Sequence, residues 1–123
     1  MRLVRVTAAV VGIVAMTGWR TAFHLHLLKS APAANTTVVA APEAIRLWFS
    51  QAPELKVTTV KVTGPNSTAV ALAPLTGGDS AVVIASVKGR MATGNYAVSW
   101  RTMARDGHIA SGAFAFTIGP APR

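Results

Sequence analysis

Imidazole and carboxylate side chains stand at two widely separated places in this chain. His24 and His26 lie near the amino terminus, and Asp106 and His108 lie near the carboxyl terminus. The chain of 123 residues has only three histidines and four acidic residues, so these two places hold much of its ligand chemistry. If folding brings them together, their nitrogen and oxygen atoms form a small site suited to Cu(II), Zn(II) or Ni(II).

Each of the two motifs is weak evidence by itself. An Asp-Gly pair is common in turns, and short motifs often match by chance. On an extended backbone, residues two apart point the same way, so Asp106 and His108 would lie side by side, and the intervening Gly107 also permits a tight or unusual backbone there. His24 and His26 would share one strand face in the same manner, with Leu25 on the other. The alternative is that these are incidental surface residues.

The amino terminus has the pattern of an export signal. A basic start, Met1–Arg5, precedes the short apolar run Ala8–Met16, which is well under the length of a membrane span. We predict that residues 1–23 are a signal peptide, although Phe23 is large for the position before a cut. Cleavage after Gly18 or Ala22, or a retained anchor, therefore remains open. The mature domain is predicted at residues 24–119, with a short tail at 120–123.

Composition excludes several classes of site. The chain has no cysteine, which removes zinc fingers, iron–sulfur clusters and blue-copper centres. Beyond residue 23, nine Lys and Arg stand against four Asp and Glu, a net charge of +5. These basic residues are scattered without interleaved aromatics, so we expect a solvated surface and no nucleic-acid partner.

The mature segment predicts an all-β fold. Short runs with alternating or β-branched apolar residues are separated by turn residues and recur at intervals typical of sandwiches. The predicted strands are Ile45–Ser50, Val57–Thr63, Ala81–Ala85, Tyr96–Trp100 and Ala113–Ile118. We expect a single Greek-key β-barrel or sandwich, immunoglobulin-like, with about seven strands.

Cleavage after Phe23 would add a ligand to the predicted site. His24 would then supply both its α-amine and its ring, which with the His108 ring and the Asp106 carboxylate makes three nitrogens and one oxygen. That set matches tetragonal Cu(II). His26 would become the third residue, where an amino-terminal X-X-His chelate uses the amine, two backbone amides and the imidazole. This mode would peel the first strand from its sheet, and otherwise His26 is exposed or lies beside the site.

The ordered set of motifs resembles the CopC copper-resistance family. The motifs that carry the resemblance are His24–Pro32, Ile45–Ser50, Gly94–Arg101, Asp106–His108 and Gly112–Phe116. The resemblance implies a periplasmic or secreted Greek-key β-barrel that binds one Cu(II) per domain. It implies His24, Asp106 and His108 as metal ligands. His26 is a secondary candidate through the X-X-His mode alone. We expect a monomer, with a membrane copper transporter as a candidate partner.

Two departures from the family pattern change which metal ligands are expected. Gln51 stands where some members have a glutamate near the copper, and an amide cannot supply that anionic oxygen. Some members also carry a methionine-rich loop for Cu(I), but Val60–Val70 contains no methionine. Met91 and Met103 are isolated and are expected to fill gaps in the core. We therefore expect no Cu(I) site.

Three functions remain open from the sequence. The first is an exported copper-binding protein that sequesters or delivers Cu(II) in copper homeostasis or resistance, without catalysis. The second is a copper-dependent oxidative enzyme that uses an amino-terminal histidine chelate, which Asp106 disfavours because oxygen chemistry needs an open coordination position. The third is an adhesion-type β-sandwich without metal. We predict the first.

Overall fold

The computed structural model describes residues 24–77 and 80–120. The predicted signal peptide, residues 1–23, lies outside the described residues, as does most of the predicted tail. Within the described ranges, no helix has the length and apolar character needed to cross a membrane. The regular elements there are seven strands and two short 3-10 turns, Leu55–Val57 and Pro65–Ser67. The strands are β1 (Leu27–Ala31), β2 (Thr37–Val38), β3 (Ala44–Phe49), β4 (Thr59–Thr63), β5 (Val82–Ser86), β6 (Gly94–Met103) and β7 (Ile109–Ile118).

The strands form two sheets. One sheet has the order β1-β3-β5 and the other the order β2-β7-β6-β4. All neighbours are antiparallel except β2 and β7, which run parallel. The predicted all-β Greek-key sandwich of about seven strands is confirmed.

The core lies between the sheets and follows the predicted alternation. In β3 the buried residues are Ile45, Leu47 and Phe49. β6 contributes Tyr96, Val98 and Trp100 to the same core. Alternate residues point to opposite faces of a strand, so a single apolar face on each sheet is enough to build this core.

The predicted strand at Val57–Thr63 begins two residues late in the structure. Val57 lies in a 3-10 turn, and β4 starts at Thr59. The reason is polar: the Thr58 hydroxyl donates to the Glu54 carbonyl oxygen at 2.7 Å and lies 2.6 Å from the buried Thr102 hydroxyl. These bonds give the backbone a local alternative to the strand ladder.

The β6–β7 hairpin is longer than its apolar pattern predicts. β7 begins at Ile109, four residues before the predicted Ala113. The extra residues include Gly112, which pairs with Trp100 and whose lack of a side chain makes room for the indole. The indole edge in turn contacts Phe49 of the facing sheet, with ring centroids 5.1 Å apart.

We predict that Gly112→Ala lowers the free energy of unfolding by about 1 to 3 kcal/mol, the usual cost of overpacking a core. A Cβ at this position would lie 2.7 Å from Trp100 Cζ2. Gly89→Ala is the control, because its Cβ would meet nothing closer than 3.9 Å. Urea denaturation measures both variants. Equal stability of the two would contradict the close Trp100 contact.

Candidate metal centre

The segment before β1 places two imidazoles outside the sandwich. His24 and His26 are exposed, whereas Leu25 between them is only 6% exposed and belongs to the core cluster. The predicted alternation is therefore confirmed, although β1 itself begins at Leu27. The backbone N–H of Ser50 donates to the His26 carbonyl oxygen at 2.8 Å and continues the β1–β3 pairing to this point.

Asp106 and His108 lie in the turn that joins β6 to β7. The Ala104 N–H donates to the His108 carbonyl oxygen at 2.8 Å, and the Gly107 N–H donates to the Ala104 carbonyl oxygen at 2.9 Å. Gly107 has a φ of +94°, a conformation that favours glycine. A tight turn, which the intervening glycine was expected to permit, is found here in place of an extended backbone, and it brings the two side chains together.

The Asp106 carboxylate contacts its neighbour at two points. Oδ1 accepts the His108 backbone N–H at 3.0 Å, and Oδ2 lies 2.9 Å from His108 Nδ1. The His108 backbone N–H is the largest cause that lowers the pKa of Asp106, followed by the ring hydrogen bond and the nearby His108 and His24 rings. An ionised carboxylate can only accept, so Nδ1 carries the proton and Nε2 is left for a metal.

The two ends of the chain meet at this corner. The His24 and His108 rings have centroids 5.4 Å apart and planes inclined by 30°. With metal–nitrogen bonds of about 2.0 Å, two imidazoles on one ion have centroids roughly 4.5 to 6.4 Å apart, from cis to trans. The observed spacing falls inside that interval, which is the ring separation that a shared ion requires.

The third predicted ligand, Asp106, is hydrogen-bonded to His108 and does not complete a three-ligand group. Among residues 24–77 and 80–120, no group of three or more His, Asp or Glu side chains is gathered closely enough to hold a metal ion. We attribute this to the hydrogen bonds of Asp106, since both carboxylate oxygens face His108. Direct coordination by Asp106 therefore requires its side chain to rotate.

The His26 ring is turned back on its own chain. Its Nδ1 is 2.9 Å from the His24 carbonyl oxygen, which can only accept, so Nδ1 donates. Arg105, which could have neutralised Asp106, instead has its Nε 3.9 Å from Glu54 Oε1. The negative charge of Asp106 therefore acts on the His108 and His24 rings.

A short connection between β3 and β4 is hydrogen-bonded both to the His24–His26 segment and to the end of β6. This role was not predicted from the sequence. We call residues 50–54 the strap. At one end Ser50 bonds the His24–His26 segment, and at the other the Glu54 N–H donates to the Met103 carbonyl oxygen at 2.9 Å. Pro53 between them is fully buried. The sequence signal was the abrupt change from the apolar strand end at Phe49 to polar residues.

We predict that the Asp106 carboxyl titrates below its ordinary pKa and that His108→Ala raises the pKa only part of the way back. The backbone N–H, the largest cause of the lowering, remains in that variant. A depressed folded-state pKa adds stability above the unfolded pKa of about 4, and that stability is lost as the pH falls through the folded value. Carboxyl-carbon NMR titration measures the shift. Full return to the ordinary value would contradict the backbone contribution.

Comparison with known proteins places the chain in a family. The family model of the CopC domain matches residues 27–119. The Escherichia coli (strain K12) protein YobA is 34% identical over 97 residues, which cover 77% of this chain and 78% of YobA. Copper resistance protein C from Escherichia coli is 30% identical over 117 residues, which cover 87% of this chain and 90% of the relative.

Solved structures agree. CopC from Methylosinus trichosporium OB3b matches with a TM-score of 0.73 and 25% identity, over 81% of this chain and 98% of that one. PcoC, a methionine-rich copper resistance protein from Escherichia coli, matches with a TM-score of 0.69 and 32% identity, over 78% of this chain and 99% of that one. The matched region is therefore nearly a whole solved chain in each relative. With its sandwich fold and its family-model match over 27–119, this chain belongs to the CopC family.

Proposed function

We propose that this protein binds one Cu(II) at the corner formed by His24, Asp106 and His108, and that it sequesters or delivers the ion outside the cytoplasm. The observation that carries the proposal is the 5.4 Å separation between imidazoles from opposite ends of the described chain. Membership of a family with copper-resistance relatives supports copper over other ions. The same membership supports a periplasmic or secreted location.

The ligand chemistry supports Cu(II) over Cu(I). Imidazole nitrogen and carboxylate oxygen suit Cu(II), whereas Cu(I) is selected by soft sulfur ligands. The Asp106 carboxylate is ionised at neutral pH and adds a negative charge beside the rings, and its lowered pKa extends that charge to more acidic pH. Met91 is partly buried and packs against the core, so its sulfur serves packing.

The exposure of the site supports a carrier. The Asp106 and His108 side chains are 58% and 69% exposed, so a partner can reach a bound ion directly. A membrane copper transporter is the partner we propose, and the protein acts as a monomer without catalysis. Ascorbate-driven peroxide formation by the copper-loaded protein, well above that of free copper, would instead favour the oxidative enzyme.

We predict that Asp106→Ala and His108→Ala each weaken Cu(II) binding at least tenfold without changing the thermal midpoint by more than a few degrees. Both side chains are exposed, so their removal leaves no cavity in the core. His26→Ala is the control and should bind like the parent. Isothermal titration with Cu(II) and electron paramagnetic resonance measure binding, and the parent should give a type 2 signal with nitrogen couplings.

Parent-like affinity in His108→Ala would show that the site is misplaced.

We also predict that one extra residue before His24 weakens Cu(II) binding in a chain that otherwise starts at His24. The extension keeps every side chain but moves the α-amine away from the ring. Its resonance spectrum should show one nitrogen coupling fewer than the chain that begins at His24. Equal affinity and equal spectra in the two forms would mean that the amine is not a ligand.

A further inference from the structure

The Ser50 side chain fastens the amino-terminal segment to the end of β3. Its hydroxyl oxygen accepts the His26 backbone N–H at 3.0 Å and donates to the His24 carbonyl oxygen at 3.3 Å. The Ser50 backbone N–H adds the bond to the His26 carbonyl oxygen at 2.8 Å. One residue of the strap therefore holds both exposed histidines of this segment through their backbone.

The groups held in this way are those that an amino-terminal X-X-His chelate would need. That chelate binds Cu(II) or Ni(II) through the α-amine, the backbone nitrogens of the second and third residues, and Nδ1 of the third. Here the His26 backbone nitrogen is bonded to Ser50, and His26 Nδ1 is bonded to the His24 carbonyl oxygen. The chelate would also pull the buried Leu25 out of the core.

We infer that Ser50 is a positioning residue that decides which of two copper-binding modes the amino-terminal segment adopts. With its hydroxyl in place, the segment extends β1 and holds the His24 ring against His108. Without the hydroxyl, the His26 backbone nitrogen and the His24 carbonyl oxygen lose a partner, and the segment is released to wrap an ion through His26. This inference rests on the proposed copper site.

Three serine substitutions test the role of the Ser50 hydroxyl. Ser50→Ala removes the hydroxyl but keeps the backbone bond to His26, so β3 and the core remain intact. Ser50→Thr restores a hydroxyl and is the rescue variant. Ser99→Ala removes an exposed serine hydroxyl from the other sheet and is the control. Each is made in a chain that starts at His24, since a match over 81% of this chain already covers 98% of the solved CopC chain.

The first measurement needs no metal. Hydrogen exchange of the His26 backbone N–H should be at least tenfold faster in Ser50→Ala than in the parent, Ser50→Thr or Ser99→Ala. Unchanged exchange in Ser50→Ala would overturn the inference, because the hydroxyl would then not hold the segment.

The second measurement asks which histidine the ion needs. In the parent, His108→Ala should weaken Cu(II) binding at least tenfold and His26→Ala less than twofold. In the Ser50→Ala background, His26→Ala should weaken Cu(II) binding at least tenfold and His108→Ala less than twofold. The visible absorption band of the Cu(II) complex should move to shorter wavelength, because four nitrogens then surround the ion. Ni(II) should reproduce the switch by giving a yellow, diamagnetic complex only with Ser50→Ala.

The outcomes separate this inference from the proposed site. If Ser50→Ala still depends on His108 and not on His26, Ser50 does not select the mode, while the proposed site stands. If His108→Ala has no effect in the parent, the proposed site is wrong. The inference then falls with it, because the parent would have no His108 mode to lose.

Discussion

The strap at residues 50–54 is the constraint on which the candidate site depends. It follows the last residue of β3 in one sheet and reaches β6 in the other, with a hydrogen-bonded anchor at each end and the buried Pro53 between. Its first residue holds His24 and His26, and its last holds the strand that leads into the Asp106–His108 turn. The strap therefore connects the segment that carries His24 to the strand that leads to His108.

The candidate ligands lie next to, or two residues from, buried residues of the core. Leu25 is buried between two exposed histidines, and Ala104 is buried two residues before Asp106. The backbone of a ligand residue that is close in sequence to a buried residue is held in place by the core, while the ligand side chain stays in solvent. This division suits a protein that holds and releases an ion, since affinity requires a fixed geometry and transfer requires access.

Much of the fold could be predicted from the sequence because period-two alternation in β3 and β6 reflects burial directly. Thr58 was missed because its buried hydroxyl bonds, which displace the start of β4, depend on Thr102 in a distant strand. The Asp106–His108 contact was predicted, and the glycine between them indicated that a tight backbone was possible there, but the hydrogen bonds to Ala104 that close the turn were not predicted. The role of Ser50 was not visible either, since its partners lie 24 and 26 residues away.

Anomalous diffraction at the copper absorption edge, from crystals of the protein loaded with one equivalent of Cu(II), tests the site most directly. One peak should lie between the His24 and His108 rings, within bonding distance of a nitrogen from each. A peak at His26, with His108 free of copper, would contradict the proposed site.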